Sequence, residues 1–352
     1  MKKFAVVLAL SLLVLGSLPV HGAETEVNGK LYAHWMMDMT DGADNFNEFA
    51  LGRAYVTVKS KLSDYTSVRI TSDLRETGSF DGYSVIIKYA YLDWKPQFAN
   101  GVLKLRLGLQ PTQYIDKMNK LWGRRYLENT VGDLHHFLTT SDLGAGVIIT
   151  LGEKGKLGYI AGNVWNGTSY TNVEELNKQK DFSGFVYFTP LKDNPDFKRC
   201  AILAQAYVGT QNRNFGDFLN SSDYDRSLFS FGALLAFRHI LDIGADINLN
   251  SKGQGAGTDD LKETGYSAFA TIYLEDLIAN ASLLRTLNLF GRMDMYDPNS
   301  DVDDNGNTLI IGGVECTPVK GFKASVNLRT LSYQAEDVDS ETYVYVNTLF
   351  EF

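Results

Sequence analysis

The stretch Gln113–Thr140 carries Asp116, Lys117, Lys120, Arg124, Arg125, Glu128, Asp133, His135 and His136. The set mixes both signs without a clean period. Its chemistry is that of a field acting on passing ions or dipoles; bond-making needs a nucleophile, a base and an orienting group within hydrogen-bond reach. Once a leader is removed the histidines are His34, His135, His136 and His239, and none stands beside a recognisable nucleophile motif. No enzyme and no cofactor are therefore expected. His135 and His136 are adjacent and would point to opposite sides of an extended chain, which argues against a shared metal. Asp301-Val302-Asp303-Asp304-Asn305-Gly306 matches the first half of a calcium loop through Asp301, Asp303 and Asn305, but position twelve is Gly312. An acidic surface loop is the favoured reading, with weak divalent-ion or lipopolysaccharide-bridging contact as the sharper alternative. Cys200 and Cys316 read as two free, half-buried thiols, with a disulfide the open alternative.

The chain that must position these groups is exported. Lys2 and Lys3 precede an apolar run from Phe4 to Leu18, and Pro19-Val20-His21-Gly22-Ala23 offers a cleavage site, placing a signal peptide at residues 1–22 and one domain at 23–352. Removing two lysines takes the formal charge from −9 to −11, and such acidity argues against a nucleic-acid partner. Beyond the leader no apolar segment is long enough for a spanning helix. The most apolar region, Leu228–Leu249, is interrupted by Arg238, His239, Asp242 and Asp246. A membrane protein of this sequence has to be a closed β-barrel, since only helices and barrels satisfy their backbone in lipid.

Period-two alternation runs along the whole mature chain. Leu31, Ala33, Trp35, Met37 and Met39 oppose Lys30, Tyr32, His34 and Asp38, and Ala54, Val56 and Val58 oppose Arg53, Tyr55, Thr57 and Lys59. Leu241, Ile243, Ala245, Ile247 and Leu249 oppose Asp242, Gly244, Asp246 and Asn248. The segment Val85–Trp94 is apolar or aromatic on both parities and has no assignable faces. In Leu143–Leu151 the glycines Gly144 and Gly146 fall on the inner parity and are read as leaving room inside, or as easing curvature. About sixteen strands result. Connections after odd strands are long and polar, and those after even strands are short, the asymmetry of outer-membrane barrels. The fold class expected is all-β: a transmembrane antiparallel barrel of about sixteen strands.

The chain resembles the Gram-negative phosphate-selective porin O and P superfamily. The resemblance rests on Arg106-Leu107-Gly108-Leu109-Gln110-Pro111-Thr112, Trp122-Gly123-Arg124-Arg125, Ser141-Asp142-Leu143-Gly144, Phe290-Gly291-Arg292 and Ile311-Gly312-Gly313-Val314-Glu315-Cys316-Thr317-Pro318. It implies a sixteen-stranded, usually trimeric pore whose third extracellular loop folds inward, and that loop maps onto Gln113–Thr140. Phe350 and terminal Phe352 resemble the signal read by barrel-assembly machinery. One departure stands out: the inner faces mix Arg53, Arg69, Arg75, Lys104 and Arg106 with Asp73, Asp242 and Asp246, where the family has a dense basic array.

The expected function is passive diffusion of small hydrophilic solutes and ions across the outer membrane, through a lumen narrowed by residues 113–140. Arg124, Arg125, Lys117, Lys120, Lys104, Arg106, Arg53 and Arg69 would form a cationic side of the constriction, and Asp116, Glu128 and Asp133 an acidic one. Partners would be lipid, lipopolysaccharide, the assembly machinery and two further copies in a homotrimer. A substrate-specific channel for phosphate, other anions or sugars, and a non-conducting adhesin, are the alternatives.

Overall fold

The computed structural model describes residues 24–76, 82–216, 219–275 and 286–352. The expected leader at 1–22 and residues 281–285 of the expected thirteenth strand lie outside the described residues. Sixteen strands follow in order: β1 (Glu24–Asp38), β2 (Asn47–Lys61), β3 (Thr66–Glu76), β4 (Tyr83–Trp94), β5 (Leu103–Pro111), β6 (Ser141–Leu151), β7 (Gly158–Trp165), β8 (Asp181–Phe188), β9 (Ala201–Thr210), β10 (Asp225–Phe237), β11 (Leu241–Lys252), β12 (Leu261–Tyr273), β13 (Leu287–Asp297), β14 (Asn307–Val319), β15 (Phe322–Tyr333) and β16 (Glu341–Glu351). Each pairs antiparallel with its neighbours, and β16 returns to β1 with Leu31 opposite Phe350 and Ala33 opposite Thr348. Closure leaves no strand edge unpaired, the condition a sheet must meet in lipid.

The alternation decides which side faces out. Val56, Ile243 and Val326 are exposed on the outer surface, whereas Thr57, Asp242, Asp246 and Asn327 are buried inside. Thr348 breaks the apolar parity of β16, and its hydroxyl donates to the Ala33 carbonyl (3.0 Å), so no polar group is left bare there. The unreadable β4 contains a β-bulge. Thr71 pairs with Tyr89 and Ser72 with Ile87, so Lys88 is an extra residue. The bulge switches parity: Val85 and Ile87 point out on one side of it, Leu92 and Trp94 on the other. One of the even connections departs from the expected shortness. Residues 189–200 fold over the neighbouring turn, with Arg238 bonded to Asp196 and Phe197 packed on Phe237 at 5.4 Å.

Residues 112–140 lie within the barrel. The segment expected to have no period in fact holds α1 (Gln113–Trp122), with Tyr114, Ile115, Met118 and Trp122 buried, the spacing of one helical face. Gly123 ends it in the left-handed conformation, φ +70°, its N–H bonded to the Asn119 carbonyl. A short turn, α2 (Val131–Leu134), follows. The apolar core of the molecule is the contact between this segment and the inner wall: Trp122 meets Phe269 and Phe290 edge-on at 5.3 and 6.2 Å, and Tyr114 meets Phe185 at 6.5 Å.

Glycines on the wall admit the segment. A Cβ at Gly265 would lie 2.6 Å from the Phe137 ring and 3.2 Å from Val131, and one at Gly232 would lie 2.5 Å from the Met118 sulfur. Gly144 and Gly146 do not have this role. The Cβ position of Gly146 is closed by the Asn163 amide at 2.1 Å and that of Gly144 by the Val164 carbonyl at 2.1 Å, so the room they leave is used by the neighbouring strand. Gly265→Val should therefore displace the Val131–Phe137 end of the segment. The expected result is a larger single-channel conductance with an assembled barrel; an unchanged conductance would show that the segment tolerates the bulk in place.

Candidate functional site: the lumen and its inserted segment

On one side the inserted segment is fixed to the wall by buried polar contacts. Arg124 donates to Thr271 (2.8 Å) and to the Glu315 carboxylate (3.3 Å), with Phe290 beneath its guanidinium at 4.7 Å. Tyr126 donates to the other Glu315 oxygen (2.7 Å), and Asn288 also donates to Glu315 (3.2 Å). The side chains of Arg124 and Glu315 are only 5% and 2% exposed. Removing one member of such a buried pair costs about 3–5 kcal/mol, because the other is left charged and unpaired. Farther round, Tyr114 donates to Asp246 (2.6 Å), and Arg329 donates to Glu128 (3.1 Å) and to the Leu127 carbonyl (2.9 Å). His135 lies flat on Tyr296 at 3.7 Å; burial pushes its imidazole down to about 4, so the ring that stacks at neutral pH is uncharged.

Open space flanks the segment on both sides: a cavity of about 640 Å³ lined by Arg124, Arg199, Asp242, Thr271 and Glu315 lies against the β9–β14 wall, and two others lie on the side facing β2–β5. A cavity of about 700 Å³ is lined by Tyr32, Tyr55, Arg69, Lys88, Tyr89 and Arg125, among others. An adjoining cavity of about 570 Å³, lined by Lys95, Lys104, Arg106, Lys117 and Lys154, shares Arg69, Asp116 and Lys120 with it. Both open toward the end of the barrel that carries the turns at 95–102 and 152–157. From the long-loop end downward, Arg75, Arg53, Lys88, Arg69, Arg106 and Lys104 follow one another on the inner faces of β2–β5.

The residues expected to form two charged sides of one constriction are distributed differently. Arg124 and Arg125 diverge. Arg124 is committed to the β12–β14 wall, whereas Arg125 turns toward β2, donating to the Tyr55 hydroxyl (2.6 Å) and to Asp133 (3.1 Å). Asp133 thus sits with Arg125 on the same face, and Asp116 pairs with Lys120 one helical turn on (2.6 Å). Glu128 is held by Arg329 against the wall. Arg53 is bonded to Asp73 (2.7 Å), and Arg106 grips Asp93 with two donors (2.6 and 2.9 Å) while Lys104 stands 3.4 Å away. Arg69 donates to Thr71 (3.1 Å) and covers Tyr89; Lys117 covers Tyr187 at 4.5 Å. Neither has a carboxylate at ion-pair distance among the described residues.

Glu315, Lys88 and Tyr170 were not singled out as site residues by sequence, and Asp73 was read only as an inner-face acid. Glu315 had a signal: it is an acid on the inner parity of an otherwise apolar strand. Lys88 had none, because the bulge hides its face. Tyr170 comes from the connection after β7 and reaches Arg53 and Asp73, each at 3.3 Å. The calcium-loop candidates do not converge: Asp301 pairs with Lys262 (3.3 Å) and Asn305 donates to the Asn299 carbonyl (3.0 Å). Among the described residues no three His, Cys, Asp or Glu side chains gather as a metal site would require. Cys200 is buried and free, its sulfur 3.3 Å from the Ala236 N–H, and Cys316 is a free, half-buried thiol.

No protein-family model and no curated protein matches the chain. Solved structures do. The chain is similar to OmpF of Salmonella typhi at 12% identity, TM-score 0.65, covering 94% of this chain and 98% of that one. It is also similar to the outer membrane channel DcaP of Acinetobacter baumannii (12%, TM-score 0.61, 94% and 98%) and to the trimer form of OmpT, an outer membrane protein of Vibrio cholerae (13%, TM-score 0.61, 94% and 99%). The fold is that of outer-membrane porins and channels. At these identities the likeness to porins concerns the backbone, and the charges of this lumen are this chain's own.

The divergence of the two arginines gives different expectations for each. Arg125→Ala should leave the barrel assembled and shift the reversal potential toward cations. Arg124→Ala strands Glu315 and should lower the temperature at which the folded barrel loses its compact gel mobility. Equal behaviour of the two variants in both assays would contradict the division.

Proposed function

We propose that the chain is an outer-membrane porin, a water-filled channel for passive diffusion of small hydrophilic solutes and ions, constricted by residues 113–140 and favouring anions. The observation that carries the reading is the imbalance of pairing across the lumen. The acids of the β8–β14 wall are satisfied: Asp181 by Arg226, Asp242 by Arg199, Glu263 by Lys252, Asp294 by Arg292 and Glu315 by Arg124. Asp246 accepts from Tyr114 and Asn248 beneath the inserted segment. In the two cavities that share Arg69, the cations Arg69, Lys88 and Lys117 have no carboxylate at ion-pair distance among the described residues. Each unpaired charge acts on an ion ~10 Å away in water by about 0.4 kcal/mol, so three contribute about 1 kcal/mol before screening, a several-fold preference. The net −9 of the chain does not oppose this, since acids such as Asp259, Asp260, Asp303, Asp304, Asp337 and Asp339 sit in the long connections.

Orientation and partners follow from the same frame. The long connections would face outward and the short turns the periplasm, with the apolar outer belt in lipid. Acidic loops suit divalent-bridged contact with lipopolysaccharide. Phe352 is 80% exposed beside Gly29 at the seam, and Phe350 packs with a tilted ring on Phe322 at 4.8 Å, an accessible pair for the barrel-assembly machinery. A homotrimer is in keeping with the trimer form of the Vibrio cholerae protein. No catalytic role is assigned to any residue.

Reconstitution in planar bilayers under a salt gradient tests the reading. An anion-signed reversal potential is expected, reduced by Arg69→Glu. A cation-signed potential would refute the preference, and absence of conductance would favour the adhesin alternative.

A further inference from the structure

Lys88 is the strongest unexplained group in the lumen. It is the bulge residue of β4, its side chain is directed inward, and it is only 3% exposed. Its ammonium makes no hydrogen bond among the described residues. Three tyrosine rings surround it, with centres 4.7 Å (Tyr170), 5.3 Å (Tyr55) and 5.8 Å (Tyr89) from Nζ. Cation–π contact recovers part of the lost hydration, but an ammonium buried without a counterion remains costly.

The neighbours are already committed. Arg53 is bonded to Asp73, and Arg125 spends its fork on Asp133 and Tyr55. The Tyr55 hydroxyl accepts from Arg125, and the Tyr126 hydroxyl donates to Glu315. What these tyrosines offer the 700 Å³ cavity is therefore ring surface, in company with Tyr32 and Tyr89. One compact, unshared cation beside apolar ring walls differs from a fork of arginines. It suits a single negative charge attached to an apolar body, since a multiply charged, strongly hydrated phosphate would find few free donors and would be dehydrated against the rings.

We propose that Lys88, with Tyr55 and Tyr89, forms a binding station in the channel for small organic carboxylates, the carboxylate on the Lys88 ammonium and the apolar or aromatic body against the tyrosine rings. The proposal deepens the anion reading of the same lumen and rests on it. A bound solute would slow the flow of chloride while it resides there.

The test is block of chloride current in planar bilayers by benzoate, acetate and inorganic phosphate. Benzoate is expected to block at lower concentration than acetate, and phosphate least. Lys88→Met should raise the half-blocking concentration of benzoate about tenfold, the loss of one charge-assisted hydrogen bond worth about 1.4 kcal/mol. Tyr89→Ala keeps the charge and should weaken benzoate while leaving acetate unchanged; it also serves should Lys88→Met fail to assemble, as read from heat-modifiable gel mobility. Block unchanged in Lys88→Met, phosphate blocking more strongly than benzoate, or Tyr89→Ala weakening acetate and benzoate equally would each overturn the proposal. A cation-signed reversal potential with benzoate block intact would instead remove the anion preference and leave the station standing.

Discussion

The carboxylate of Glu315 is the fixed point on which the interior depends. Arg124, Tyr126 and Asn288 all donate to it, and Lys323 stands 3.7 Å away. Buried acids are tolerated only when their acceptor capacity is filled, and here two of the donors come from a segment nearly two hundred residues earlier in the chain. The pairing therefore selects one seating of residues 112–140 over other ways of folding them inside a wide barrel. Trp122 against Phe269 and Phe290 supplies the apolar surface that drives insertion, and Gly232 and Gly265 make the wall concave enough to receive it. The polar contact sets the register, and the apolar contact supplies most of the free energy.

That seating has an electrical consequence. The segment lies over Asp246 and brings donors to it and to Glu315. In the cavities facing β2–β5 the inner faces present arginine, lysine and tyrosine. A chain that is acidic in sum can carry the basic passage proposed above, because many of its acids stand in the connections and the lumenal acids Asp73, Asp93, Asp181, Asp242, Asp294 and Glu315 are ion-paired. Net charge is a poor guide to selectivity when pairing is this unequal.

The barrel was legible in the sequence, and for a physical reason: strands with lipid on one side and polar contacts on the other alternate, and Leu241–Asn250 and Phe322–Arg329 do so without exception. Legibility failed where a local irregularity or a long-range partner intervened. The bulge at Lys88 reversed the parity of β4 and made both faces look apolar. The helix Gln113–Trp122 was obscured by its charged residues, although Tyr114, Ile115, Met118 and Trp122 carry a helical stripe once the wall they meet is known. Adjacent Arg124 and Arg125 looked equivalent, and only the placement of Glu315 and Tyr55 on different walls separates them. Gly144 and Gly146 illustrate the same limit, since a glycine announces a close approach without saying from which side.

The inserted segment covers the middle of the β9–β14 wall through Tyr114, Trp122 and Arg124, and the cavities facing β2–β5 are where we propose that solutes pass. Thiol accessibility measures it directly in a background with Cys200 and Cys316 replaced by serine, which removes the two native thiols. A cysteine at Arg69 should react with a small charged thiol reagent in the open channel and lower its current, whereas a cysteine at Ser230, buried with its hydroxyl 2.7 Å from Asn248 on the covered wall, should remain unmodified. Rapid modification at Ser230 with none at Arg69 would contradict it.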